Sequence, residues 1–67
     1  MRAADFEAWI TRMGWSGLEA ARRLGTSKNS VVRYRREGAP LTVALACAAL
    51  AAGLGPWKGE PEEDGDG

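Results

Sequence analysis

Apolar positions along the chain fall into four blocks of different spacing. Phe6, Trp9, Ile10 and Met13 stand at i, i+3, i+4 and i+7, which places them on one stripe of a helix. Asp5 can cap or charge the first turn of that helix, and Gly14 supplies its stop. Ser16-Gly17-Leu18-Glu19 then has the capping-box form, in which hydroxyl and carboxylate reciprocally satisfy orphan backbone N–H groups, with Trp15 at the staple position ahead of it. The pattern predicts a second helix running to Leu24, with Leu18, Ala20, Ala21 and Leu24 as its apolar face. Gly25 ends it in a left-handed turn that a Cβ would hinder.

Ser27 follows as a second capping residue, so a third helix is predicted over Lys28 to Glu37, closed by Gly38 and Pro40. Val31 and Tyr34 give it a narrow apolar edge, while Lys28, Asn29, Val32, Arg33 and Arg36 run along the opposite face. From Leu41 to Ala52 every residue except Thr42 is apolar, so a fourth helix there has no polar face and needs cover on more than one side. Gly53 to Pro56 breaks it, and Trp57 is expected to anchor back onto the body. The aromatic residues Phe6, Trp9, Trp15 and Tyr34 are read as core.

Charge changes the picture more than length does. The 67 residues have zero net charge, but residues 1–58 hold all nine cations and only Asp5, Glu7, Glu19 and Glu37 as acids, a balance of +5. Residues 59–67 hold five acids, a balance of −5, and no apolar side chain to bury, so they are expected to form a disordered acidic tail. One domain over 1–58 is all that this length supports. Between Ala20 and Arg36 stand six cations and no acid, a field suited to a polyanion. Glu7 and Glu19 are read as helix N-terminal charges.

The absence of His and the presence of a single Cys exclude His-based acid/base catalysis, Cys/His zinc sites and an intramolecular disulfide. No enzymatic activity, cofactor, metal or small-molecule ligand is expected. The apolar stretch from Leu41 to Leu54, 14 residues long, is short of the roughly 20 that cross a bilayer, and Asp5 and Glu7 stand where a secretory signal would be apolar. A cytoplasmic protein, with Cys47 as a small core residue in a reducing compartment, is the expectation.

Two short helices joined by a tight Gly-containing turn, the second carrying cations outward, form the helix-turn-helix arrangement, here about residues 16–37, whose second helix fits a major groove about 12 Å wide. The run from Ser16 to Tyr34, SGLEAARRLGTSKNSVVRY, resembles the phage-repressor (lambda repressor, Cro and Xre-like) helix-turn-helix family. Ala21, Leu24, Gly25, Ser27, Val31 and Tyr34 match its pattern positions, and Gly38 to Ala46 resembles the Pro-led helix that follows its recognition helix. The resemblance covers residues 5–54 and implies an all-α, compact four- to five-helix lambda-repressor-like domain. In size and in the run at 39–46 the chain is also similar to the small autoregulators encoded beside anti-CRISPR genes in phages.

The resemblance makes Lys28, Asn29 and Arg33 base-reading positions. Arg33 has the fork for guanine, Asn29 the amide for adenine, Lys28 reaches guanine or phosphate, and Val32 can touch a thymine methyl. Ser16, Gly17, Ser27, Ser30, Arg35 and Arg36 are then phosphate holders, using hydroxyls, cations and the free N–H groups at the start of helix two. Two departures stand out. Gly17 replaces the Gln common in the family, and the family's ion pair between an Arg of helix one and a Glu near the end of the recognition helix is expected to be absent, since Ile10 and Arg35 occupy comparable places.

The function implied is a dimeric, sequence-specific transcriptional repressor of a phage or bacterial promoter, binding double-stranded DNA at a palindromic operator. Leu41, Val43, Leu45, Leu50, Leu54 and Trp57 are the expected homodimer surface, because helix four cannot turn all its apolar residues to one side. Two rival readings are a helix-turn-helix module that binds protein, as a toxin-neutralising or inhibitor subunit, and an excisionase-like architectural DNA-binding protein.

Overall fold

Phe6, Trp9 and Ile10 line up on one side of the first helix, α1 (Ala3–Met13), and all three are buried. The helix begins two residues before Asp5, so Asp5 sits in the first turn, where its charge opposes the helix dipole, and no side chain caps the end. Gly14, at φ 72°, closes the other end as its N–H bonds back to Ile10 and Thr11. The computed structural model describes residues 1–59; the remainder of the predicted acidic tail lies outside the described residues.

Three further helices follow: α2 (Gly17–Leu24), α3 (Lys28–Glu37) and α4 (Leu41–Ala51). The described residues are all helix and connecting turn, with four helices and no strand. None of these helices is long and apolar enough to cross a membrane. Ser16 caps α2 by accepting the Glu19 N–H at 3.1 Å, but the reciprocal half of the box is missing: the Glu19 carboxylate turns instead to Arg23 at 2.7 Å. A charge-assisted bond to a guanidinium outcompetes a bond to one backbone amide.

α2 meets its neighbours through Ala20 and Ala21, both buried, with Leu24 half-buried beside them. Leu18 does not belong to that face and is 52% exposed. At 100° per residue it lies roughly 110° round from the centre of the buried arc, on a flank that no helix covers. The small alanines instead let α2 approach the core closely.

α3 packs on α1 and α2 through Val31 and Tyr34, and α4 packs on the same two helices through Val43, Cys47 and Leu50. The core therefore joins Phe6, Trp9, Ile10, Ala20, Ala21, Val31 and Cys47, with Met13, Trp15 and Tyr34 closing its edge. An aromatic ladder crosses it. The Phe6 ring lies 5.5 Å from that of Tyr34 and 5.4 Å from that of Trp9, and Trp9 meets Trp15 edge-on at 5.7 Å. These spacings fall in the favourable range for tilted and edge-to-face pairs.

Trp57 does not return to the body and is 89% exposed. α4 ends in a turn with Gly53 at φ 77° and the Leu54 N–H bonded to Ala49, which lays Leu54 to Pro56 along the α2–α4 flank beside Arg23. Contact with the body is complete before residue 57, and the ladder leaves no core slot for a further indole.

Sequence spacing gave no sign of the bridge between the chain start and the α3–α4 linker. Met1 and Ala39 exchange two bonds of 2.9 Å each, Met1 N to Ala39 O and Ala39 N to Met1 O. Gly38 makes this approach feasible. Its backbone, at φ 101° and ψ 172°, lies in a region essentially reserved for glycine, and a Cβ there would stand 2.7 Å from the Met1 carbonyl oxygen.

Gly38→Ala is accordingly expected to cost about 1–3 kcal/mol in urea or thermal unfolding. Gly17→Ala, whose Cβ would meet only ordinary contacts near 4 Å, should stay within about 0.5 kcal/mol of the parent; equal effects at the two sites would contradict the bridge. A second expectation concerns the buried thiol. Burial pushes Cys47 from its ordinary 9.0 up to about 11, so the folded state keeps a proton that the unfolded chain gives up. The associated stability is intact below pH 9 and is lost as pH rises through about 11, and Cys47→Ala should remove that part of the alkaline decline.

Candidate nucleic-acid interface

The turn between α2 and α3 is built from local chemistry. Gly25 takes φ 71°, which lets its own N–H bond to Arg22 at 3.2 Å and the Thr26 N–H to Ala21 at 3.0 Å, the double closure of a Schellman end. Two residues later Ser27 caps α3 by accepting the Ser30 N–H at 3.1 Å. Its hydroxyl also donates to the Ser30 hydroxyl at 3.0 Å, so two of the three predicted phosphate-holding serines stand together at the opening of α3. α3 is thereby held at a fixed angle to α2, with Val31 and Tyr34 inward.

The opposite face of α3 is open. Lys28, Asn29, Val32, Arg33 and Arg36 are all exposed, and Asn29, Ser30, Val32, Arg33 and Arg36 line a shallow depression of about 230 Å³. The residues expected to read bases thus share one continuous strip. Val32, an apolar side chain left 50% exposed in the middle of it, is the position expected to touch a thymine methyl. Ser16 and Gly17 lie at the head of α2, and a Cβ on Gly17 would stand 4.0 Å from Nη1 of Arg35. The α2 N-terminus and the Arg35 guanidinium therefore border the same space.

The cations sort into two groups. Arg23 is bonded to Glu19 at 2.7 Å and lies 4.8 Å over the Trp15 ring; Arg22 reaches the same carboxylate at 3.6 Å. Arg35 donates through Nε and Nη2 to the two oxygens of Glu7 at 2.8 and 2.9 Å, a bidentate fork between α3 and α1. Arg36 touches its neighbour Glu37 at 3.3 Å. Among the described residues Lys28 and Arg33 have no acidic partner. Lys28 and Arg33, the unpaired cations of α3, are two of the positions expected to read bases.

The Arg35–Glu7 fork corrects one expectation and adds to another. Glu7 is not a helix N-terminal charge, since Asp5 alone is the acid of the first turn; and although no Arg of α1 pairs with a Glu of α3, a pair of the opposite polarity joins the two helices, with the cation on α3 and the acid on α1. Glu7 stands one turn before Ile10, on the flank of the Phe6–Ile10 stripe that meets α3, and its partner is 28 residues away. No local motif reports such a pair; the available signal was an α1 acid opposite an α3 that carries four cations and one acid.

The fork holds the Glu7 carboxyl below its ordinary 4.5, through the hydrogen bond from Arg35 first and its charge next, and raises Arg35 in turn. Glu19 is lowered in the same way by Arg23. Leu41, Leu45, Leu54 and Trp57 of the expected dimer surface are exposed, whereas Val43 and Leu50 are half-buried against the core of the same chain.

Because Glu7 is lowered on folding, its contribution is present above pH 4.5 and is lost as pH falls through the folded value. Glu7→Gln is expected to be less stable than the parent at neutral pH, and the gap should close on acid titration below 4.5 followed by thermal melts. A gap that persisted unchanged into acid would show that the carboxylate charge is not what the fork contributes.

No protein-family model, curated protein or solved structure matches this chain.

Proposed function

We propose that this chain is a sequence-specific DNA-binding regulator of the helix-turn-helix type, with α3 as the element that enters the major groove. One observation carries the reading: an exposed strip of α3 with no acid on it, on which the unpaired cations Lys28 and Arg33 flank Asn29 and Val32. Guanidinium, amide and aliphatic groups in one row are the set that distinguishes base edges, whereas a face that only needed solubility would mix both charges. The width of a single helix matches the groove.

Phosphates are held at both ends of that strip. Ser27 and Ser30 present hydroxyls at the start of α3, Arg36 a cation further along it, and Ser16 and Gly17 the unpaired N–H groups of the α2 N-terminus. Arg35 serves this second site from the side. Its Nε and Nη2 are spent on Glu7, leaving Nη1 to meet an anion bound at Gly17.

The lambda-repressor-like fold and the repressor role belong to the same proposal. Two copies related by a twofold axis would carry their α3 helices about 34 Å apart, suiting a palindromic operator with half-sites near 10 base pairs. A bound protein of this size represses by excluding polymerase from the promoter. The protein-binding alternative draws on one observation, the exposed apolar residues of α4 and beyond, and a mobility-shift assay on the DNA upstream of the protein's own gene separates it from DNA binding.

Within the DNA reading, Arg33→Ala and Asn29→Ala are each expected to weaken cognate binding by about 1–3 kcal/mol and to relax preference at one base position per half-site. Arg36→Ala should instead weaken cognate and scrambled duplexes alike and lower the slope of log affinity against log salt by about one unit. Salt titrations of the three variants on both duplexes provide the check. A neutral Arg33→Ala in a protein that still bound its operator would overturn the assignment of this strip to the groove.

A further inference from the structure

The face of the molecule formed by α1 and α4 shares no residue with the α3 strip. α1 and α4 leave between them a groove of about 310 Å³ lined by Asp5, Ala8, Trp9, Arg12, Ala44, Cys47, Ala48 and Ala51, with Met1 at one end. The α4 wall, Ala44, Cys47, Ala48 and Ala51, is small throughout, and Ala8 faces it from α1.

Directly beside the groove runs a ridge. Leu41 and Leu45, one turn apart on α4, are 71% and 62% exposed, and Ala48, the next position on the same line, also lines the groove. A single surface thus carries two large apolar knobs and, next to them, a trough of alanines. A ridge and a matching trough on one face is the requirement for an isologous contact, in which the same patch serves both partners.

Charge supplies the register. Asp5 and Arg12 line the groove two turns apart on α1 with Ala8 between them; Asp5 has only an exposed 3.6 Å pair with Arg2, and among the described residues Arg12 has no acidic partner. A twofold axis passing near Ala8 sets α1 antiparallel to α1 of a second copy. Asp5 then faces Arg12 of that copy, and Arg12 faces its Asp5. Parallel docking would oppose like charges instead.

We infer that a second copy of this chain occupies the α1–α4 groove, its Leu41–Leu45 ridge seated on Ala44, Ala48 and Ala51 and the two Asp5–Arg12 pairs crossing the axis. This deepens the two-copy part of the proposed function and rests on it. It also moves the contact from that expected from sequence alone: α1 is included, and Val43 and Leu50 are left to the core.

The test is sedimentation equilibrium of the full-length protein without DNA, with far-ultraviolet circular dichroism confirming that each variant keeps its helix content. The parent should dimerise, and Leu45→Glu, at an exposed position, should be monomeric over the same concentrations. Asp5→Arg and Arg12→Asp should each weaken self-association by about tenfold, since each leaves two like-charged pairs across the axis. Mixing the two variants should restore dimers, because the mixed pair regains both attractions. A parent that is monomeric at all concentrations overturns the inference. So does a dimer indifferent to Leu45→Glu, or one not recovered on mixing, and neither result bears on whether α3 binds DNA.

Discussion

The seat of α1 on α3 depends on the Phe6 ring, and α4 and α2 pack in turn against these two helices. Fully buried, the ring touches Tyr34 of α3 on one side and Trp9 on the other, and through Trp9 reaches Trp15 in the α1–α2 connection. Truncating such a ring costs about 3–5 kcal/mol, and a single core in a domain below about 70 residues supplies a total of similar size. One aromatic contact therefore decides whether the remaining ones exist. Apart from Ile10 and Val31, the rest of the buried core is made of small residues, which contribute little each but allow the helices to close around the ladder.

On that frame the polar interactions act as direction rather than strength. The Glu7–Arg35 fork is half exposed, and in solvent such a pair contributes modestly to stability. Its geometry is more informative than its energy. A bidentate contact resists rotation of α3 about its own axis, the motion that would turn Arg33 and Asn29 away from their common line. Rigid support of this kind is what separates side chains that merely occur on a surface from side chains that point together.

Much of this was legible in the residues because it is encoded locally. Ser16 and Ser27 as caps, Gly14 and Gly25 as stops, and the inward pair Val31 and Tyr34 follow from spacings of three or four residues, and each is found where such spacings put it. What escaped was nonlocal or competitive. Glu7 with Arg35 and Met1 with Ala39 lie 28 and 38 residues apart, with no periodicity to announce them. Leu18 and Trp57 look like core residues by type, yet one sits on an uncovered flank and the other beyond the last contact, facts that depend on which helices end up adjacent. The open strip on α3 was readable because it is defined by what is missing from it, namely acids.

The Met1–Ala39 bridge also bears on the order in which the fold can be made. Because Glu7 of α1 finds its ionic partner and Phe6 one of its aromatic partners on α3, and Met1 is tied to the linker beyond it, α1 lacks these contacts until α3 has been made. At synthesis rates of 5–20 residues per second, the 28 residues from Glu7 to Arg35 correspond to a wait of about 1–6 s. Folding is thus gated by the arrival of α3, and the helix proposed to meet DNA is the one whose emergence lets α1 fold against it.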